Sequence, residues 1–337
     1  MPGYNWMGKY LSDDALLTDI IMPGSHDAGI FSGDTANAGI LGWKGAAICQ
    51  HTGLGGQLNA GSRFFDLRAR LVRERNRIGQ STPVSRSVQI KKKNSIENIT
   101  NGEDVDRGRI RFYHGDKKTG TKGADLDSQL NEVKNFLQQR NTEFCILRFT
   151  KSKEVPHAVM NLVSEILGDN NLLYQGTGNL ARIRVGDVRG KAIAIFDKDF
   201  TGHNQTSGLH HYKKNDACTN GLGVSGSFSG SPWAGKSVST QQKKLKKYEL
   251  QSDRLYSWYQ TQTYLKNIQS STQSGVGSRD NVKGLFNNLL NNEMYDSVNI
   301  VLMDFVDNFK CRNVYRSNVF TASRRLNRRQ ILDIVED

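Results

Sequence analysis

Two histidines and an arginine stand where strand-like runs end. His26-Asp27 follows the apolar run Thr18–Met22 through the turn Pro23-Gly24-Ser25, and His114, trailed by Gly115, follows Arg109–Tyr113. Arg68 lies within Phe65-Asp66-Leu67-Arg68-Ala69-Arg70. Cleaving a phosphodiester by internal attack needs a base for the attacking hydroxyl, an acid for the leaving oxygen and a cation on the non-bridging oxygens. Two imidazoles and one guanidinium supply those three parts with no metal. A single histidine at a strand end is most often structural; two of them beside an arginine form a constellation.

The elements that must hold these residues are short. In a strand, alternate side chains share a face, so Asp66, Arg68 and Arg70 point one way and Phe65, Leu67 and Ala69 the other. Turned into a core, the charged set must pair or bind something charged; the same run would equally suit a sheet edge with its polar face in water. Further strand-length runs read Phe144–Phe149, Ala192–Phe196 before Asp197, and Asn299–Met303 before Asp304. Helix-period segments, Leu126–Gln139 and Pro156–Leu167, lie between them, the second opening on a proline where a missing N–H costs nothing. Strand and helix in alternation, with chemistry at the carboxyl ends of strands, predicts a parallel α/β barrel. An open doubly wound sheet has a similar rhythm, but no GxGxxG opens a helix and no P-loop occurs. Residues 73–108 and 201–247 break the rhythm and read as long inserted loops in one domain spanning 1–337; loops of that length are usually functional or disordered.

Composition narrows the class. The chain has 337 residues with 46 Lys and Arg against 33 Asp and Glu, a net of +13. That balance favours a polyanionic partner, nucleic acid or anionic membrane. Seven basic residues against Glu74 fall within 73–93, and Lys243, Lys244, Lys246 and Lys247 form a second cluster, Arg324, Arg325, Arg328 and Arg329 a third; solvated loops and helix faces would look the same. No zinc-finger spacing or basic zipper calls for a nucleic acid. No apolar run is long enough for a spanning helix, and the first 25 residues lack the marks of a signal peptide. The four cysteines at 49, 145, 218 and 311 contain no CxxC, which disfavours a structural zinc site and leaves pairing of Cys218 with Cys311 open.

Three motifs carry a resemblance: Gly24-Ser25-His26-Asp27-Ala28-Gly29, Arg63-Phe64-Phe65-Asp66-Leu67-Arg68, and Phe112-Tyr113-His114-Gly115. In this order they resemble the signature of the phosphatidylinositol-specific phospholipase C X domain, most closely that of the bacterial single-domain enzymes. Asn5-Trp6-Met7, Arg189-Gly190-Lys191 and Val301-Leu302-Met303-Asp304-Phe305 extend the likeness over most of the chain. The resemblance implies a distorted TIM-like barrel. It implies that His26, backed by Asp304, is the general base on the inositol 2-hydroxyl, and that His114, helped by Asp27, is the acid to the diacylglycerol oxygen. Arg68 would carry the phosphate charge; calcium-dependent members have an acidic residue there, so arginine implies a metal-independent enzyme without cofactor. Asp66 and Arg70 would orient and neutralise the site. The products would be diacylglycerol and an inositol cyclic phosphate.

The sequence also departs from that pattern. Asp197, with Lys198 beside it, stands where the bacterial enzymes have an arginine that touches inositol. Arg148 and Thr150 are expected to face inward where a lysine is frequent, and Tyr256, Trp258, Tyr259 and Gln262 are the candidates for the remaining headgroup contacts. Reaction type is therefore better specified than headgroup. The alternatives are the same chemistry on another glycerophospholipid, and a non-catalytic barrel that binds anionic lipid. The resemblance implies a secreted monomer acting peripherally on membrane, although no export signal is visible. The basic 73–93 stretch and 243–247 cluster are expected to dock on anionic lipid, with Phe228 and Trp233 as insertion candidates.

Overall fold

The computed structural model describes residues 3–32, 34–35, 48–73, 108–115, 121–152, 155–198, 200, 208–214, 218–226, 254–259 and 298–319. A short helix α1 (Trp6–Tyr10) leads to β1 (Met22–Ser25), a two-residue strand β2 (Asp34–Thr35), helix α2 (Leu54–Ala60) and β3 (Phe64–Leu67), which runs through Arg68 directly into β4 (Ala69–Arg73). Next come β5 (Gly108–His114), β6 (Thr121–Asp125), helix α3 (Leu126–Gln139), β7 (Cys145–Phe149) and helix α4 (Pro156–Val163). Helix α5 (Val185–Val188) precedes β8 (Ala192–Phe196), β9 (Leu209–Lys214), β10 (Gly221–Gly226), β11 (Leu255–Tyr259), β12 (Ile300–Met303) and helix α6 (Asn308–Tyr315).

Eight of these strands close into a barrel in the order β1-β12-β11-β10-β9-β8-β7-β3, each parallel to its neighbours. Every residue of β1, β3, β7, β8 and β12 is buried, which suits parallel strands covered on both faces and explains their nearly unbroken apolar runs. Alternation divides the core in two. Phe64, Ile146, Ile193 and Ile195 pack in one cluster with Trp6, Met7, Leu222 and Ile300. Phe65, Leu67, Leu147, Phe149 and Phe196 pack in the other with Leu54 and Leu58 of α2, Leu130 and Val133 of α3 and Val159 of α4. The expected α/β barrel is therefore present, and its distortion is visible: helices fill the crossovers from β1 to β8, and none follows β8, β9, β10 or β11 among the described residues.

Four expectations need correction. Thr18–Met22 is not the first strand; β1 begins at Met22, because Asn299 and Asn318 satisfy the preceding backbone instead. Asn299 Nδ2 donates to the carbonyls of Thr18 and Ile20 at 2.8 and 3.1 Å, and Asn318 exchanges hydrogen bonds with Ile21 at 2.7 Å in each direction. The run Phe65–Arg70 is not one strand, since the chain leaves the barrel at Arg68 and enters an antiparallel sheet of order β2-β6-β5-β4. Arg109–Tyr113 belongs to that smaller sheet and not to the barrel. Within 201–247, β9 and β10 are barrel strands; Gly, His and Lys interrupt their sequences and hid them, although Leu209, Tyr212, Leu222 and Val224 reach the core. Arg73 pairs with Gly108; residues 74–107 lie outside the described residues, as do Phe228, Trp233 and 243–247. No disulfide joins any of the four cysteines, all of which are buried. No helix among the described residues is long and apolar enough to cross a membrane.

Candidate active site

The carboxyl ends of β1, β3, β7, β8 and β12 converge on one rim, and the charged residues of the sequence analysis sit there. In α/β barrels this end carries chemistry and the opposite end carries stability. His26 follows β1, its N–H held by the Met303 carbonyl of neighbouring β12 at 3.1 Å. Asp304 follows β12 and accepts from His26 Nδ1 at 2.9 Å. With Nδ1–H so engaged, the lone pair of His26 Nε2 faces the rim, where Arg68 Nη2 stands 3.5 Å away.

Asp27 adopts a left-handed backbone (φ 41°) that aspartate tolerates better than most residues. Its side chain is 1% exposed and collects three nitrogen partners: Arg68 Nη1 at 2.9 Å, His26 Nε2 at 3.4 Å, and His114 Nδ1 in a hydrogen bond. His114 reaches the barrel from outside. It ends β5, and β5 packs so closely on the loop after Asp27 that a Cβ on Gly29 would stand 2.0 Å from the Phe112 ring. That contact, with Ala124 N–H donating to the Gly29 carbonyl at 3.2 Å, seats the small sheet over the mouth and leaves His114 with 34% of its side chain exposed.

Arg68 is set at the corner between β3 and β4. Its Nη2 donates to Asp66 Oδ2 at 3.0 Å, while the other Asp66 oxygen accepts from Arg148 Nη2 at 2.5 Å. Asp66 and Arg148 face each other in register on β3 and β7. Arg148 is buried, with its guanidinium 5.3 Å from the Tyr212 ring centre, so it is built into the floor as an ion pair. Arg70 is carried off with β4, where its guanidinium stacks 4.2 Å above the Tyr113 ring; the structure does not bring it to Arg68, because the sheet changes between them.

Electrostatics follow from this crowding. Burial alone would raise the Asp27 carboxyl, but Arg68, His26 and His114 together hold it well below the usual carboxylate range. Asp66 is likewise lowered, with Arg148 and then Arg68 overcoming its burial. Burial would lower His26, yet Asp27 and Asp304 overturn it and the imidazole is raised above its ordinary value. Folding thus favours protonated His26, a contribution complete below about pH 6.5 and lost as pH climbs through the raised value, whereas Asp27 and Asp66 contribute above about pH 3.9 and lose it in acid. An NMR titration of His26 is expected to show a midpoint above about 6.5, and Asp304→Asn to move it down, since one of the two raising charges is gone. A midpoint that does not move would mean that Asp304 is no electrostatic partner.

Other positions are placed as follows. Asp197 Oδ2 accepts the Lys151 N–H at 3.3 Å, and Lys198 is exposed beside it. Tyr256, Trp258 and Tyr259 lie on β11, but their side chains are outside the described residues, as is Gln262. Lys151 was missed by sequence reasoning. It lies two residues past β7 with φ 56°, and Arg68, more than partial burial, lowers its ammonium, which places it at the same rim; a lysine just past a strand-length apolar run was the available signal. His26, Asp27 and Cys49 bring three potential metal donors within 4.8 Å of one another. The Arg68 guanidinium already occupies Asp27 and faces His26, so a cation there would meet a fixed positive charge, and this donor set does not fit a resident metal.

At the carboxyl rim of this parallel α/β barrel stand two imidazoles, each hydrogen-bonded through Nδ1 to a carboxylate. In sequence and in fold, the chain is similar to the bacterial phosphatidylinositol-specific phospholipases C. It is 26% identical over 200 residues to curated 1-phosphatidylinositol phosphodiesterases of Staphylococcus aureus strains Newman and NCTC 8325 / PS 47, a match over 58% of this chain. The chain spans about half the length of these relatives, 50% and 48% respectively. The phosphatidylinositol-specific phospholipase C of Listeria monocytogenes superposes with a TM-score of 0.55 at 18% identity, over 94% of this chain and 98% of that one. A pentafluoro-Phe-containing Staphylococcus aureus enzyme superposes with a TM-score of 0.60 at 17% identity, over 94% and 97%. These structural likenesses establish the fold. No family model matches the chain.

Proposed function

We propose that the protein is a metal-independent phosphodiesterase that cleaves phosphatidylinositol into diacylglycerol and an inositol cyclic phosphate. The observation that carries this reading is the pair of imidazoles, each tied through Nδ1 to its own carboxylate, on either side of Arg68. His26 Nε2 takes the proton of the inositol 2-hydroxyl as its oxygen attacks phosphorus. The bond from phosphorus to the glycerol oxygen breaks, and His114 Nε2 delivers a proton to that leaving oxygen. Arg68 offers its guanidinium to the non-bridging oxygens, where charge accumulates. Asp304 and Asp27 hold the tautomers and stabilise each imidazole when it is charged. Asp66 positions Arg68 from below.

Support also comes from the relatives, which carry the name 1-phosphatidylinositol phosphodiesterase. A second reading, the same chemistry on another glycerophospholipid headgroup, is favoured by Asp197 standing at the position of an inositol-contacting arginine and by Arg148 being engaged with Asp66. The proposed setting is the surface of an anionic membrane, reached by a secreted monomer, with the net charge of +13 as its attraction.

Incubation with phosphatidylinositol in mixed micelles under excess chelator, followed by phosphorus NMR, tests the reading. A cyclic inositol phosphate signal is expected. A strict calcium requirement would contradict the role of Arg68, and product only from other phospholipids would establish the second reading.

A further inference from the structure

The Asp304 carboxylate and the His26 ring come from two different loops, and their 2.9 Å contact depends on what fixes those loops to each other. The sequence segment Cys49-Gln50-His51, which no motif singles out, lies between them. Gln50 is fully buried. Its Nε2 donates to the His26 carbonyl at 2.8 Å and to the Met303 carbonyl at 3.1 Å, while its Oε1 accepts the Val306 N–H at 3.0 Å. Two carbonyl partners on one side and an N–H on the other allow a single orientation of the amide. The neighbours reinforce the grip: the Cys49 carbonyl accepts the Phe305 N–H at 2.7 Å, and the His51 ring rests 4.7 Å from the Phe305 ring. Phe305 needs holding, because its left-handed backbone (φ 50°) is costly for a bulky residue. From the far side, the buried Lys310 ammonium donates to the carbonyls of Asp304 and Phe305.

We propose that Gln50 is a positioning residue for the His26–Asp304 pair, its carboxamide joining the backbones of both loops and so setting the distance between imidazole and carboxylate. It touches no substrate; it acts through His26 and Asp304. The role deepens the phosphodiesterase reading and depends on it only for the kinetic readout. The groups around His26 that bear on its titration are Asp27 on its own loop, Asp304 and Lys310 beyond β12, Arg68 and Asp66 from β3, His114 from β5, Lys151 beyond β7, and Cys49 and His51 beside Gln50. Of these, Asp304 is held in place by the carboxamide most directly, so loosening Gln50 removes a charge that raises His26.

Gln50→Leu keeps the volume and removes all three hydrogen bonds. In the variant, the His26 midpoint measured by NMR is expected to fall by about half a unit or more, toward that of a free imidazole. With phosphatidylinositol, kcat is expected to drop about 10²-fold while KM stays within roughly twofold, as for a displaced catalytic group rather than a lost binding contact. A folded variant in which either the midpoint or kcat is unchanged overturns the proposal. Should the variant not fold, the wild-type protein decides: the Gln50 carboxamide protons, bonded to the His26 carbonyl, are expected to shift with the His26 midpoint, and carboxamide signals indifferent to that titration overturn it. A wild-type protein inactive on phosphatidylinositol would sink the substrate reading and leave these NMR outcomes to judge Gln50.

Discussion

Alanine at His114 is expected to slow cleavage of phosphatidylinositol by about 10²- to 10⁴-fold, and to cost much less when the leaving group is a nitrophenolate. The diacylglycerol oxygen is an alkoxide unless protonated, so its departure needs the proton that His114 Nε2 supplies. A nitrophenolate leaves without one. Alanine at His26 is expected to be equally damaging on the lipid, but its loss should persist on the nitrophenyl substrate, because the 2-hydroxyl still has to be deprotonated. The double variant should lose little more than the worse single one, since attack and departure belong to one displacement. Both substitutions keep Asp27 paired with Arg68 at 2.9 Å, so a cooperative thermal melt should remain as evidence of folding. If His114→Ala were equally impaired with both leaving groups, proton donation would not be its role.

Most of this arrangement could be read before the fold was known, and the reasons are local. The period-two alternation in Phe65–Arg70 put Asp66 on the face opposite Phe65 and Leu67 without deciding between core and edge, and the structure turns it inward, where it pairs with Arg148. The same alternation failed for Arg70, because a strand can keep its period while it changes sheets, and nothing in Arg68-Ala69-Arg70 announces that change. β9 and β10 escaped notice because a parallel strand is recognised by apolar runs, whereas Leu209–Lys214 places only part of its length in the core. His114 was identified as a strand-end residue, but its approach from a second sheet rests on Gly29 and Phe112, a contact between distant segments. Gln50 was illegible altogether. Its partners are backbone groups, which every residue possesses, so no pattern of side-chain types marks the site of such a tie.

The largest stability effect is expected at the opposite end of the barrel, from Glu143→Ala. Arg63 and Glu143 stand just before β3 and β7, both with fully buried side chains, and Arg63 Nε and Nη2 donate to Glu143 Oε2 at 3.0 and 2.6 Å. Removing one partner strands a buried charge, a loss of about 3–5 kcal/mol that should be read as a lower urea midpoint. Replacing such a pair by apolar residues often restores stability, and the double change Arg63→Met with Glu143→Leu tests that rule here. Restoration is not expected. Arg63 also donates to the carbonyls of Gly3, Tyr4, Leu58 and Ser62, and Glu143 accepts the N–H groups of Met7 and Gly8. The apolar double variant leaves those backbone groups without partners, each at a cost of about 1–3 kcal/mol if it stays buried. A double variant as stable as wild type would mean that the amino-terminal segment finds other partners or does not need them. In every one of these variants, turnover per folded molecule should hold, because Asp66 and Arg148 lie farther along the same two strands, where the rim begins.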